Sequence, residues 1–171
     1  PSSGSAGAQT FTFVFSDANG YTDIGGALLL VNASLNGRGG CYIAYDRATN
    51  LFYLYRDSDN AWIAVTPGSG PNVANDQCTI NAATLSTSVS GNTLTVNLPL
   101  TFSGSFTGLK TVFANVSDVG GLSSGWLTAG TWNPGQPAAP TVTSLSPSSG
   151  TGLTQTFTIT LSDTNGVADI A

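Results

Sequence analysis

In the segment TFTFVFSD, the aromatic residues Phe11, Phe13 and Phe15 fall on one side of an extended chain, and Thr10, Thr12 and Val14 fall on the other. Strand side chains alternate between two faces, so this spacing predicts a half-buried β-strand. GGALLLVNAS is apolar without alternation, as in a strand covered on both faces. CYIAYDRATNLFYLYRD predicts a hairpin in which Cys41, Ile43 and Tyr45 alternate before a turn from Asp46 to Asn50, and Leu51, Tyr53 and Tyr55 alternate after it. Trp62 and Ile63 follow the polar turn DSDN and predict another short strand. CTINAATLSTSVSGNTLTVNLPLTF carries two strands joined at Ser90, Gly91 and Asn92, with Leu94, Val96, Leu98 and Leu100 marking a core face. LKTVFANVSD and GWLTAGTW, separated by VGGLSS, close the series. About eight to ten short strands punctuated by turn residues predict an all-β antiparallel sandwich.

The chain also repeats itself. Residues 1 to 24, PSSGSAGAQTFTFVFSDANGYTDI, return at residues 147 to 170 as PSSGTGLTQTFTITLSDTNGVADI, with 14 identities in 24 positions and no gap. Phe157, Ile159 and Leu161 keep the alternation of Phe11, Phe13 and Phe15. A period of 146 residues is a whole domain rather than a solenoid unit of 20 to 50 residues. Between the copies, Asn133 to Pro140 reads NPGQPAAP, where three prolines fix φ and remove backbone donors, as in a semi-rigid linker. The expected organisation is a repeat over 1–133 that lacks its first strand, a Pro-rich linker over 134–140, and the first strands of a second repeat over 141–171. Thr141, Val142, Thr143 and Leu145 supply that spare first strand, and with Phe157, Ile159 and Leu161 they are the candidate residues for strand sharing between units.

Composition agrees with strands and turns. In 171 residues there are 43 Ser and Thr, 21 Gly, nine Asp, and no Glu, Met or His, so the usual helix formers are scarce. A net charge of −5 with only four basic residues leaves no basic stripe for phosphates, so nucleic acid is not an expected partner. No apolar run reaches the length needed to cross a bilayer, and PSSGSAGAQ has neither the charged nor the apolar region of a signal peptide, so any export signal is expected to lie elsewhere. Cys41 and Cys78 form an even pair on a chain with a Ser, Thr, Asn and Gly surface. That pattern favours one disulfide in an oxidising compartment, stabilising by roughly 3 to 4 kcal/mol, over two buried thiols.

Taken together, SDANG followed by DIGGALLLVN, and VFANVSDVGGLSSGW followed by LTAGTW, resemble the bacterial immunoglobulin-like repeats of very large secreted proteins. The likeness spans the full period, and its most characteristic parts are the SD-x-NG turn and the terminal hairpin from SD-x-GG to GTW. It implies an immunoglobulin-like β-sandwich in a stalk, adhesin or fibre, and carries no catalytic residues. The Tyr-rich hairpin and the pair Cys41 and Cys78 fall where the resemblance implies an insertion relative to a minimal immunoglobulin-like domain.

Several constellations suggest chemistry, each beside a plainer role. Asp17, Asn19 and Asp23 are spaced as D-x-N-G-x-x-D, repeated as Asp163, Asn165 and Asp169. Such oxygens suit Ca²⁺, yet Asp and Asn also cap tight turns, and further ligands and a bidentate Glu are not evident. Asp57 and Asp59 form a second acidic loop, read as a solvated turn. Tyr53, Tyr55 and Trp62, with Tyr42, Tyr45, Trp126 and Trp132, offer either a platform for stacking on sugars or the filling of a core or a seam between domains. Asn32 and Asn115 match the glycosylation acceptor pattern, which chance produces often in a chain rich in Asn, Ser and Thr. Lys110 is the sole lysine, and an isopeptide crosslink through it would lack an assisting Glu. Without His or Glu, the chain lacks the groups that most often act as general acid or base near neutral pH, and no spacing selects an Asp pair. Two functions follow as expectations. One is a non-enzymatic structural repeat of an extracellular or cell-surface fibre, filament or stalk, joined end to end to neighbouring copies through shared strands. The other is an adhesin or carbohydrate-binding module using the aromatic hairpin from Cys41 to Trp62.

Overall fold

The alternating segments form strands that build two packed sheets and a separate hairpin. The computed structural model describes residues 1–135, 139–163 and 170. A seven-stranded sheet runs β1 (Ser3–Ser5), β12 (Leu127–Asn133), β11 (Lys110–Asp118), β3 (Ile24–Asn32), β4 (Cys41–Asp46), β5 (Leu51–Arg56) and β6 (Ala61–Val65). A five-stranded sheet runs β2 (Ala8–Ser16), β10 (Thr93–Phe102), β8 (Cys78–Ile80) and β7 (Val73–Ala74), with β9 (Ser86–Ser90) also paired to β10. β13 (Thr141–Ser146) and β14 (Thr158–Ser162) form a sheet of their own. Pairing is antiparallel except between β1 and β12. There is no α-helix among the described residues.

Period-two burial explains the packing. On β2, Phe11, Phe13 and Phe15 are buried, and they join Leu94, Val96, Leu98 and Leu100 of β10 in one cluster with Leu29, Ile43, Phe52, Leu54, Val112 and Trp132 of the seven-stranded sheet. At roughly 1.5 to 3 kcal/mol for each large side chain removed from water, this cluster is the main source of stability. β3 is covered on one face only, where its unbroken apolar run predicts cover on both: Leu29 and Val31 enter the core, while on the outer face Leu30 is buried among its neighbours and Leu28 is only part-buried. In β5, Phe52 and Leu54 turn inward, leaving Tyr53 and Tyr55 outside, because Ile43 pairs with Leu54. The adjoining turns contain Asn50 and Asn60 at φ 52° and 55°, a left-handed conformation that Asn tolerates better than most residues.

The two sheets are also joined covalently. Cys41 of β4 and Cys78 of β8 form a buried disulfide with Cα atoms 5.7 Å apart. Trp132, in GTW, is 3% exposed, meets Phe11 edge-on with centroids 5.1 Å apart, and donates its indole N–H to the Ala6 carbonyl at 3.0 Å. Its ring lies against Gly4, where a Cβ would stand 2.4 Å from Cζ3 of the indole.

β1 is not foreshadowed in the sequence pattern. It reaches across to the seven-stranded sheet, while β2 stays at an edge of the other sheet, next to β10. The linker is described only at residues 134, 135, 139 and 140.

Candidate functional site

The first candidate surface is the outer edge of β2. β10 pairs with β2 from Thr93↔Ser16 to Thr101↔Ala8, and no strand occupies the opposite edge among the described residues. β2 is nine residues long, with no charge and no proline, and Val14 on its solvent face is 64% exposed. The other sheet ends are shorter: three residues in β1, five in β6 and two in β7. Natural sheets protect long edges with charge, proline, bulges or a cover, because unpaired N–H and C=O groups recruit other strands. β2 has none of the first three devices along its length.

The second copy presents the complementary arrangement. β14 occupies positions equivalent to Thr12 through Ser16, and β13 pairs with it from Thr141↔Ser162 to Ser146↔Thr158. A bulge between Val142 and Ser144 places Val142 opposite Leu161 and Leu145 opposite Ile159, so all four apolar side chains share a face. That face is uncovered, and Phe157 is 57% exposed where its counterpart Phe11 is 2% exposed. Gln155 repeats the contact of Gln9, its side-chain amide donating to the Thr156 carbonyl as Gln9 donates to Thr10. Among the described residues, no atom lies within 4 Å of where a Cβ on Gly150, the counterpart of Gly4, would stand. β14 thus repeats the strand of β2 within a two-stranded sheet. Thr141 and Thr143 direct their hydroxyls to the carbonyls of Ser162 and Thr160.

The second surface is the outer face of the seven-stranded sheet. Cross-strand pairing places Phe113 opposite Leu30, Leu30 opposite Tyr42, and Tyr55 opposite Trp62, forming one row across β11, β3, β4, β5 and β6. Ring centroids are 6.2 Å apart for Tyr42 and Tyr55, 5.0 Å for Tyr42 and Trp62, 5.2 Å for Tyr55 and Trp62, and 6.2 Å for Tyr42 and Trp126. Burial raises the pKa of the Tyr42 phenol above its ordinary value. Tyr53 stands on the next row, opposite Ala44 and Ala64, and does not join these ring contacts. The four rings meet at 48° to 63°, each shielding part of another, so they do not make a flat stacking platform. Trp62, at 42% exposure, is the ring most open to solvent. Tyr45 lies on the other face of β4, in the core against Phe52.

At the end of β2, Asp17 and Asp23 meet Asp118 of β11, with one carboxylate oxygen from each lying within 4.8 Å of the others. Much of this group maintains local turns. Asp17 accepts the Asn19 backbone N–H at 2.8 Å, Asn19 donates its side-chain amide to Asp23 at 2.9 Å, and Asp118 accepts the Leu122 N–H at 2.7 Å. Sequence spacing does not group Asp118 with Asp17 and Asp23, because 95 residues separate it from Asp23. In the repeated motif, Asn165 and Asp169 lie outside the described residues.

The remaining polar candidates serve loops. Asp57 accepts the Gly39 N–H at 2.6 Å, and Asp59 is paired with Arg56, whose guanidinium holds the exposed Asp59 carboxyl below its ordinary pKa. Asn32 donates its amide to the carbonyls of Asn36 and Arg38, and Asn115 accepts from Ser123. Lys110 donates to the Thr107 carbonyl and lies 4.5 Å from the centroid of Phe106. Among the described residues, no helix is long and apolar enough to cross a membrane.

No family model, curated protein or solved structure matches this chain. The reading of its surfaces therefore rests on the internal duplication and on their geometry.

Proposed function

We propose that this chain is a structural repeat of an extracellular fibre, filament or surface stalk, in which immunoglobulin-like units follow one another end to end and share β-strands with neighbouring copies. The observation that carries this reading is the duplication itself: residues 1–24 return at 147–170 with 14 identities in 24 and no gap, and β14 repeats β2 at the positions equivalent to Thr12 through Ser16. A lone hairpin is marginal in water, and covering Phe157, Ile159 and Leu161 would contribute roughly 1.5 to 3 kcal/mol per side chain. The buried Cys41–Cys78 bond supports an oxidising, extracellular setting. In this reading no catalytic residue or cofactor is assigned, and the Asp17–Asp23 segment serves as a hydrogen-bonded turn.

Electron microscopy of native material tests the proposal: units of this size should line up end to end. Denaturing gels then separate a giant covalent array from a noncovalent polymer that collapses to one small band. Dispersed single particles would overturn it. The second reading, a carbohydrate-binding module or adhesin, draws on the exposure of Trp62 but is disfavoured by the mutual tilt of Tyr42, Tyr55, Trp62 and Trp126. Binding on a glycan array that is lost in Trp62→Ala would favour it.

A further inference from the structure

We propose that Asn36 is a site of spontaneous covalent modification, in which the Gly37 backbone nitrogen cyclises onto the Asn36 side chain and water then opens the ring to aspartate or isoaspartate at position 36. The inference stands apart from the strand-sharing reading and uses only the loop between β3 and β4. An Asn side chain offers an electrophilic amide carbon, and the backbone nitrogen of the next residue closes a small ring on it most readily when that residue is glycine, which has no Cβ to obstruct the approach. The chain contains Asn19–Gly20, Asn36–Gly37 and Asn165–Gly166, of which the last lies outside the described residues. The fold treats the first two oppositely.

At Asn19 the reacting atoms are occupied. The Gly20 N–H donates to the Asp17 carbonyl at 3.1 Å, and the Asn19 side-chain amide donates to Asp23 at 2.9 Å. At Asn36 the corresponding atoms are free: among the described residues, nothing accepts the Gly37 N–H or the Asn36 side-chain amide. The Asn36 side-chain oxygen instead accepts the Arg38 backbone N–H at 3.0 Å. That bond draws electron density from Cγ and stabilises the negative oxygen that forms as the ring closes. Asn36 is exposed, so hydroxide and water reach it. Its neighbour is fixed as glycine, because a Cβ on Gly37 would stand 2.5 Å from Cδ1 of Tyr42, whose ring is packed against Tyr55, Trp62 and Trp126. Water is the only co-reactant. Hydroxide removes the Gly37 proton, the nitrogen forms a bond to Cγ, and the Cγ–Nδ2 bond breaks to release ammonia, which takes its extra proton from water and leaves a cyclic imide. Hydrolysis at Cγ restores the original backbone with aspartate at position 36, and hydrolysis at the backbone carbonyl routes the chain through the side chain as isoaspartate. Either product adds a negative charge two residues from Arg38, and isoaspartate also lengthens the backbone leading to Gly37, where the chain rests on Tyr42.

The wild-type chain, with its disulfide intact, tests this without substitution. It is incubated in mildly alkaline buffer and digested at acidic pH, and peptide mass spectrometry reads Asn19, Asn36 and Asn165 separately. Asn36 should convert about tenfold faster than Asn19, because ordinary hydrogen bonds at the Asn19 atoms must break before the ring closes. Electron-transfer fragmentation should find both aspartate and isoaspartate at position 36. The rate there should rise with pH, since hydroxide generates the nucleophile. In the reduced chain unfolded in urea, Asn19 and Asn36 should convert at comparable rates, because neither set of bonds then exists. A rate at Asn36 no greater than that at Asn19 in the folded chain, or the same excess at Asn36 in folded and unfolded chain, would overturn the inference. Conversion to aspartate alone, at a rate independent of pH, would contradict it as well, because direct hydrolysis of the side-chain amide then replaces ring closure by Gly37.

Discussion

At the scale of single residues, the two copies of PSSG form an internal control. Gly4 lies under Trp132, and a methyl group there would meet the indole at 2.4 Å and 2.7 Å; the ring is backed by Phe11 and tethered to Ala6, so it has little room to retreat. Gly4→Ala is expected to cost about 1 to 3 kcal/mol as an overpacking change. For a domain of this size, that lowers the melting temperature by roughly 2 to 12 °C. Gly150→Ala adds a methyl where no atom of the described residues lies within 4 Å and should leave the melting curve unchanged. Thermal denaturation of both variants followed by circular dichroism checks the pair, and equal effects would show that the Trp132 contact is not what Gly4 accommodates. The same indole explains why GTW ends the sandwich: it closes the core beside Phe11 while its N–H reaches the Ala6 carbonyl.

At the scale of elements, the disulfide joins strands from opposite sheets, β4 and β8, across 37 residues of chain. Closing a loop of that length removes unfolded-state entropy worth about 4 kcal/mol on the chain-entropy account. Replacing Cys41 and Cys78 together by Ala should therefore lower the unfolding free energy by about 3 to 4 kcal/mol in urea titrations, with the far-ultraviolet spectrum preserved below the transition. The strands that period-two patterning reveals are those with one apolar face, as in β2, β4, β5 and β10. β1 and β7 lie beyond it, because Ser3–Ser5 has no large apolar side chain and Val73–Ala74 is only two residues long, so both are defined by backbone pairing across the fold. The aromatic cluster is legible only in part. Tyr55 and Trp62 are close in sequence, but the inclusion of Tyr42 and Trp126 and the exclusion of Tyr53 depend on cross-strand register. Asp118 joins Asp17 and Asp23 for the same reason: its strand, β11, pairs with β3, bringing Asp118 beside Ile24.

At the scale of the whole molecule, two kinds of sheet coexist in one chain. The seven- and five-stranded sheets share a core and a covalent tie, whereas β13–β14 is a single layer with Val142, Leu145, Phe157, Ile159 and Leu161 all exposed. Exchange of backbone amides reports how readily each region opens, and a two-stranded sheet without a covered face opens at small free-energy cost. In dilute chain, amides of 141–146 and 158–162 should therefore exchange within seconds to minutes, while those of β3, β4 and β10 stay protected for orders of magnitude longer. In assembled material, 141–146 should become protected to a degree approaching β10, because its partner is then a strand of a packed sandwich. If β14 stays fast while β13 slows, the strand has changed partners as expected. If both slow together, the hairpin has been covered intact by a second sheet. Equal, rapid exchange of both strands in dilute and assembled material would mean that neighbouring units meet through some other surface, and the tilted aromatic face of Tyr42, Tyr55, Trp62 and Trp126 would then be the next contact to examine.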